Sequence, residues 1–242
     1  MSRFYIKPEF IKGDKIYIKG KELHHICDVM RLGVGDIISA FDGTGVVYAG
    51  KIESVSLKEA VVGIDKTCNT PGKLPKITLA VSVPKLDKMD LIVQKATELG
   101  VHTIYPVLTK RTVISLDERK ANLRLERWRN IAIEASKQCG RSELPRVEPP
   151  MKFEEALQSV KNYEIALMPT LEGDVVPLKK ILNAKTYKNA ILFIGPEGDF
   201  TPQELSTAKK LGCVAVSLGP LVYRVETASL AALAILFYAL GN

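Results

Sequence analysis

The sequence predicts an α/β protein in two parts, a small strand-rich barrel followed by a parallel α/β unit. Three observations lead there. Short β-type runs separated by turn residues occupy roughly the first 68 residues, a spacing that suits a small barrel. From residue 77 onward, apolar runs of strand length alternate with helical periodicity, the pattern of a parallel sheet with crossover helices. Between the two, Asn69-Thr70-Pro71-Gly72-Lys73-Leu74-Pro75 carries two prolines and a glycine, as an interdomain connector does. The expected organisation is 1–70, a linker over 71–76, and 77–242.

In the first part, Phe4-Tyr5-Ile6 and Ile16-Tyr17-Ile18 are short runs of β-forming residues. A helix is expected over 22–30, and Gly33-Val34-Gly35-Asp36 turns the chain back. Ile37-Ile38-Ser39-Ala40-Phe41 precedes the turn Asp42-Gly43-Thr44-Gly45. Val46-Val47-Tyr48 leads into a run over 51–56, and Ala60-Val61-Val62-Gly63-Ile64 closes the set.

In the second part a strand is expected over 77–83. Residues 87–99 read as a helix, with Met89, Ile92, Val93, Ala96 and Leu99 on one face and Gly100 as its stop. After a strand over 104–108 comes a long amphipathic helix over 119–138, with Leu125, Trp128, Ile131, Ala132 and Ala135 at helical spacing. Beyond it lie helix 153–160, strand 164–168, helix 178–182, strand 190–194, helix 202–211, strand 214–218 and a final helix over about 226–240. The start of helix 202–211 is strongly marked. Thr201 stands at the N-cap, Pro202 at the first helical position, and Glu204 completes a T-x-x-E capping box. This places Gly195-Pro196-Glu197-Gly198-Asp199-Phe200 between a strand's carboxyl end and a helix, where open α/β sheets bind ligands.

Composition narrows the function classes. The chain has 242 residues, 46% of them hydrophobic, enough to bury a core. Lys and Arg outnumber Asp and Glu by 34 to 27. That excess is compatible with a polyanionic partner but does not require one. Cys27, Cys68, Cys139 and Cys213 form no C-x-x-C pair, and His24, His25 and His102 are the only histidines. Neither a metal site nor a Ser-His-Asp triad is expected. The opening MSRFYIKPEF has no apolar core of a secretory signal. The longest apolar run, 228–240, is too short to span a bilayer. A reduced, cytoplasmic protein without membrane contact is the expectation.

Two segments carry candidate chemistry, both after buried strands: Ile194-Gly195-Pro196-Glu197-Gly198, and 218–227 with Gly219, Arg224 and Glu226. Glycine lets a ligand approach the backbone. Neither segment has the spacing of a dinucleotide or P-loop fingerprint. Taken alone, a Gly-Pro pair after a strand is also an ordinary turn. Arg224 and Glu226 fit two readings, a helix-start ion pair or a charged pair facing a reaction centre.

The string IGPEGDFTPQEL, succeeded after a short strand by LGPLVYRVETASLAAL, strongly resembles the bacterial 16S rRNA uridine-N3 methyltransferases of the SPOUT superfamily. QKATELGVHTIYPV, ERW at 126–128, Glu134-Ala135 through Gln138, Arg141 and Pro145, and His24-His25 through Val29-Met30-Arg31-Leu32 to Gly35-Asp36 agree with the same family. The resemblance spans nearly the whole chain. It departs at Asp199, where the family has a second glycine, at Leu221, often Arg, at Tyr223, usually Leu, and at Val225, usually Thr.

The resemblance implies a PUA-like β-barrel that holds RNA, then a SPOUT-type α/β knot whose C-terminal segment threads into a deep trefoil, against the usual rule. It implies S-adenosylmethionine as cofactor, held at Met168, Pro169, Ile194, Gly195, Pro196, Glu197 and Gly198 from one side. Leu218, Gly219, Leu221, Tyr223, Arg224, Thr227 and Ala228 hold it from the other. Arg224 is the expected cation at the reacting base, with Glu226 or Glu197 orienting it or accepting a proton. Arg3, His25, Arg31, Lys110, Arg111 and Arg141 are the expected RNA contacts. The expected partners are 16S ribosomal RNA in the small ribosomal subunit and a second copy of the chain, in a homodimer to which 228–240 contributes. The alternatives are a SPOUT enzyme acting on a ribose 2′-hydroxyl or another base, and a non-catalytic RNA-binding ribosome-assembly factor.

Overall fold

The computed structural model describes residues 3–69, 74–85, 87–114, 117–185 and 187–241. Of the expected linker, residues 71–73 lie outside the described residues. Internal packing divides the chain into Met1–Gly72 with Ile133–Leu144, and Lys73–Ala132 with Pro145–Asn242.

The first unit contains β1 (Arg3–Tyr5), β2 (Ile11–Lys12), β3 (Lys15–Ile18), α1 (Gly20–His24), β4 (Ile37–Phe41), β5 (Val46–Val55) and β6 (Ala60–Asn69). They form one curled sheet in the order β1-β4-β5-β6-β3-β2. β1 runs parallel to β4, and the other pairs are antiparallel. Register shifts at Ala49/Gly50 and Ile52/Ser54 bend the long β5–β6 hairpin, as bulges do. Gly50 permits close approach there, because a Cβ would stand 2.1 Å from the Gly63 carbonyl oxygen. Phe4, Ile16, Ile18, Ile38, Ile52 and Val62 fill the core on the concave face.

Two expectations change in this unit. The helix over 22–30 starts earlier, as α1, and then widens into one π turn over His25–Val29. Arg31 ends it in the left-handed region at φ 54°, while the Leu32 N–H reaches back to the Ile26 carbonyl. β5 joins the two runs expected at 46–48 and 51–56, and β6 continues five residues past Ile64. That extension, Asp65 to Asn69, pairs with the start of β5 through backbone alone. Its side chains are exposed, so no apolar alternation announced it.

The second unit alternates β7 (Lys76–Ser82), α2 (Asp87–Leu99), β8 (Thr103–Leu108), α3 (Glu118–Cys139, of which 133–139 are grouped with the first unit), β9 (Arg146–Val147), β10 (Met151–Lys152), α4 (Phe153–Leu157) and β11 (Ile165–Pro169). It continues with β12 (Val176–Pro177), α5 (Leu178–Ala184), β13 (Asn189–Ile194), α6 (Pro202–Lys210), β14 (Cys213–Ser217) and α7 (Val225–Leu240). The sheet order is β10-β8-β7-β13-β11-β14-β12, with β9 beside β8, and every described pairing is parallel. The central strands are covered on both faces, which is why they read as unbroken apolar runs. Ile77, Leu79, Leu192 and Ile194 pack with α2 and α7 through Met89, Ile92, Leu233 and Leu236. Ala80, Ile191 and Phe193 turn the other way, onto Phe153, Leu157, Leu205 and Ala208 of α4 and α6. Among the described residues no helix is long and apolar enough to cross a membrane, and no group of three His, Cys, Asp or Glu could hold a metal ion.

Candidate cofactor pocket

β13, β11 and β14 are neighbours in a parallel sheet, so their carboxyl ends open on the same edge. A cleft lies there, the usual place for a ligand in a parallel α/β sheet. Pro169, Thr170 and Leu171 at the end of β11 form one wall. Ile194, Gly195, Pro196, Glu197 and Asp199 form a second. Ser217, Leu218 and Gly219, then Leu221, Val222 and Tyr223, form a third, closed by Val225 and Ala228 of α7. Among the described residues no lining side chain is basic.

The 195–200 loop is held from three directions. Asp199 sits in the left-handed region at φ 59°, a conformation Asp tolerates better than most residues. Its Oδ1 accepts from the Phe200 N–H at 2.7 Å, and its Oδ2 accepts from Thr170 Oγ1 at 2.8 Å and the Leu171 N–H at 2.9 Å. Arg111 Nη1 donates to the Gly198 carbonyl at 2.5 Å and to the Phe200 carbonyl at 3.4 Å. Phe200 is buried against Phe153, with ring centroids 5.2 Å apart. At Gly195 a Cβ would meet the Phe200 ring at 3.0 Å, so a side chain there would crowd Phe200 and require it to shift by a few tenths of an ångström.

The expected capping box anchors the start of α6, directly after this loop. Glu204 is buried, and its Oε2 accepts from the Thr201 N–H and Oγ1, each at 2.8 Å. Its N–H donates to Thr201 Oγ1, while its Oε1 accepts the Lys110 N–H at 2.8 Å. One carboxylate therefore ties the start of α6 to the loop after β8.

On the third wall, Ser217 Oγ bridges its own turn, accepting the Gly219 N–H and donating to the Gly219 carbonyl, both at 3.2 Å. Gly219 has φ 131°, which favours glycine. Leu221 and Val222 are exposed, and Arg224 forms the N-cap of α7 with its carbonyl accepting the Ala228 N–H.

The helix-start ion pair between Arg224 and Glu226 does not form. Glu226, in the first turn of α7, pairs with Lys88 of α2 at 3.5 Å, and the same ammonium stands 3.4 Å from Glu197. Arg224 is exposed and has no ion-pair partner among the described residues.

The structure thus brings Pro169, Ile194, Gly195, Pro196, Glu197, Leu218, Gly219, Leu221, Tyr223 and Ala228 of the expected cofactor contacts to one cleft. Met168 is not among its walls; its side chain is buried in the core under α4 and α6, because adjacent strand residues face opposite ways. Gly198, Arg224 and Thr227 are exposed outside the lining, and Glu226 stands behind it on Lys88. Of the expected RNA contacts, Arg31 and Lys110 are exposed. Arg111 is engaged by the loop carbonyls, and the His25 ring packs edge-on against Phe4 at 5.5 Å. Arg3 is turned inward. Its Nη1 donates to the Gly140 carbonyl, its guanidinium carbon lies 4.7 Å over the Phe41 ring, and Nε and Nη2 are buried without hydrogen bonds. Burial holds the guanidinium pKa of Arg3, and that of Arg141, below the usual arginine value.

Sequence reasoning missed Lys88, Thr170, Leu171, Asp199 as a contact, Ser217, Val222 and Val225. A signal existed for Asp199, a turn-former standing where the resemblance has glycine. Nothing in the spacing of Lys88, more than 100 residues from Glu197 and Glu226, could have paired them.

The fold and the cleft define an α/β RNA methyltransferase of SPOUT type with a PUA-like first unit. A model of an RNA methyltransferase domain matches residues 71–237, and a model of an RNA methyltransferase PUA domain matches residues 18–65. The chain is 33% identical to ribosomal RNA small subunit methyltransferase E of Bacillus subtilis, over 98% of this chain and 96% of that one. A ribosomal RNA small subunit methyltransferase E from Neisseria gonorrhoeae, solved with S-adenosylmethionine bound, superposes with a TM-score of 0.88 at 31% identity, covering 99% of this chain and 98% of that one. A Legionella pneumophila protein solved with the same cofactor gives 0.89 at 29% identity, covering 98% and 97%. The chain belongs to the RNA methyltransferase family, on the branch of the ribosomal RNA small subunit methyltransferases E.

Proposed function

We propose that this chain transfers the methyl group of S-adenosylmethionine to N3 of a uridine in 16S ribosomal RNA of the small subunit. The observation that carries the reading is the chemistry of the cleft. Its walls offer apolar surface from Ile194, Leu218, Val225 and Ala228, and carboxylates from Glu197 and Asp199, with no basic side chain among the described lining residues. The nearest ammonium to the cleft wall, that of Lys88, is held by Glu197 and Glu226 rather than offered to a phosphate. An adenosyl cofactor carrying a positive sulfonium fits both the apolar and the acidic surface. The two cofactor-bound relatives share this fold along nearly their whole length.

When bound, the cofactor supplies a methyl group already activated by the sulfonium. The chain's own residues then have two tasks. The Gly195 and Gly219 turns admit the ligand against backbone and fix its direction. Uracil N3 must lose its proton before it becomes a good nucleophile. Glu197 accepts that proton, since the other wall carboxylate, Asp199, is engaged by Thr170, Leu171 and Phe200. Arg224, exposed and without an ion-pair partner among the described residues, stabilises the charge that then develops on O2 and O4 of the base.

The remaining assignments belong to the same proposal. Residues 1–70 hold RNA, 77–242 bind cofactor and react, and the segment after β14 closes the cleft as a deep trefoil knot. Arg31 and Lys110 contact phosphate. The protein works in the cytoplasm as a homodimer, in which the exposed Ile235 and Tyr238 of α7 meet a second copy.

Incubation with methyl-labelled cofactor and small subunits lacking the modification tests the reading. Label is expected in 16S RNA as N3-methyluridine by mass spectrometry. Arg224→Ala is expected to abolish transfer while leaving cofactor binding intact. Label on a ribose, or none at all, contradicts the proposal.

A further inference from the structure

Lys88 occupies the first turn of α2, far in sequence from the segments that line the cleft. Its ammonium stands 3.4 Å from Glu197 Oε1 and 3.5 Å from Glu226 Oε2. The two carboxylates arrive from different elements, one from the loop after β13 and one from the start of α7. Among the described residues no other cation pairs with either. The Glu226 side chain is 17% exposed, and its Oε2 is buried without a hydrogen bond. A carboxylate in that setting depends on its one cation, and the positive charge between the two carboxylates offsets their mutual repulsion.

We propose that Lys88 is a positioning residue for methyl transfer. It holds Glu197 at the cleft wall and occupies Glu226, so that Glu226 does not neutralise Arg224 two residues before it. Arg224 consequently keeps its charge for the incoming base. This rests on the proposed roles of Glu197 and Arg224 in transfer, and it assigns to Lys88 no contact with cofactor or RNA. Without Lys88, Glu226 becomes a buried carboxylate in search of a cation, and Arg224 is the nearest one along the chain.

The test measures turnover, cofactor affinity and thermal midpoint for Lys88→Met, Glu226→Gln and the double variant, using the full chain and small-subunit substrate. Lys88→Met is expected to lower kcat on the order of 10- to 100-fold, as misplaced catalytic groups do, with cofactor Kd within about threefold of wild type. Glu226→Gln is expected to restore part of that loss in the Lys88→Met background, because no carboxylate is then left to capture Arg224. Lys88→Arg, which keeps the charge and the fold, is expected to retain more turnover than Lys88→Met. Turnover of Lys88→Met within about twofold of wild type overturns the proposal. So do losses that add in the double variant, or a fall in cofactor affinity that accounts for the whole effect. If the wild-type chain transfers no methyl, the catalytic reading fails and the positioning role falls with it. If wild type is active and Lys88→Met equally so, the positioning role alone fails.

Discussion

Asp199 holds Thr170: its Oδ2 accepts the Thr170 hydroxyl at 2.8 Å and the next backbone N–H, of Leu171, at 2.9 Å. Two walls of the cleft, the ends of β11 and β13, are thereby joined by one carboxylate. Asp199→Ala should weaken cofactor binding by roughly 5- to 30-fold, equivalent to about 1–2 kcal/mol for charge-assisted hydrogen bonds. Asp199→Gly should lose less, because glycine accepts φ 59° without strain. Calorimetric titration of both variants with cofactor checks the order.

The Arg111 clamp yields a prediction that separates loop support from RNA contact. Arg111→Ala frees the Gly198 and Phe200 carbonyls and should weaken cofactor affinity several-fold. The slope of RNA affinity against salt should stay the same, since a residue engaged on the loop releases no counterion. A slope reduced by about one, with unchanged cofactor affinity, would return Arg111 to the RNA surface.

Glu204→Ala removes an acceptor used by Thr201 and Lys110 at once. The substitution should cost about 2–3 kcal/mol, since it deletes a cap and leaves buried donors unpaired. Urea unfolding monitored by circular dichroism measures it.

Legibility differed sharply between fold and site. α2 was readable to the residue because Met89, Ile92, Val93 and Ala96 keep one face and Gly100 stops it. The capping box at Thr201 was equally local. The two-residue strands β2, β9, β10 and β12 are too short for any period to show. The π turn after His24 arises from how the backbone closes on Arg31 and Leu32 rather than from a residue preference. At the site, the glycine turns were legible as turns, and the family resemblance made them a cofactor cleft. Lys88, Arg111 and Thr170 were not legible, because their partners lie far along the chain and meet only through the parallel sheet.

Cys213 offers a pH-dependent check. Burial pushes its thiol up from 9.0 to about 12. At pH 8 the native thiolate fraction is then on the order of one in ten thousand. Native alkylation at that pH should label the exposed Cys68 and Cys139 and spare Cys213 until the chain unfolds. Stability changes with a definite sign. A thiol raised on folding contributes its full share below pH 9, and that share is lost as pH rises toward 12. Peptide mapping after alkylation reads the first effect and alkaline unfolding the second.

Every functional statement depends on S-adenosylmethionine occupying the cleft between the Gly195 and Gly219 turns. Calorimetric titration of the wild-type chain and of a folded Gly195→Val variant with the cofactor tests this most directly. Saturable one-site binding by wild type, weakened in Gly195→Val because the side chain crowds Phe200 and the ligand-facing turn, is the expected result. Absence of binding by wild type, or equal affinity in the two proteins, contradicts it.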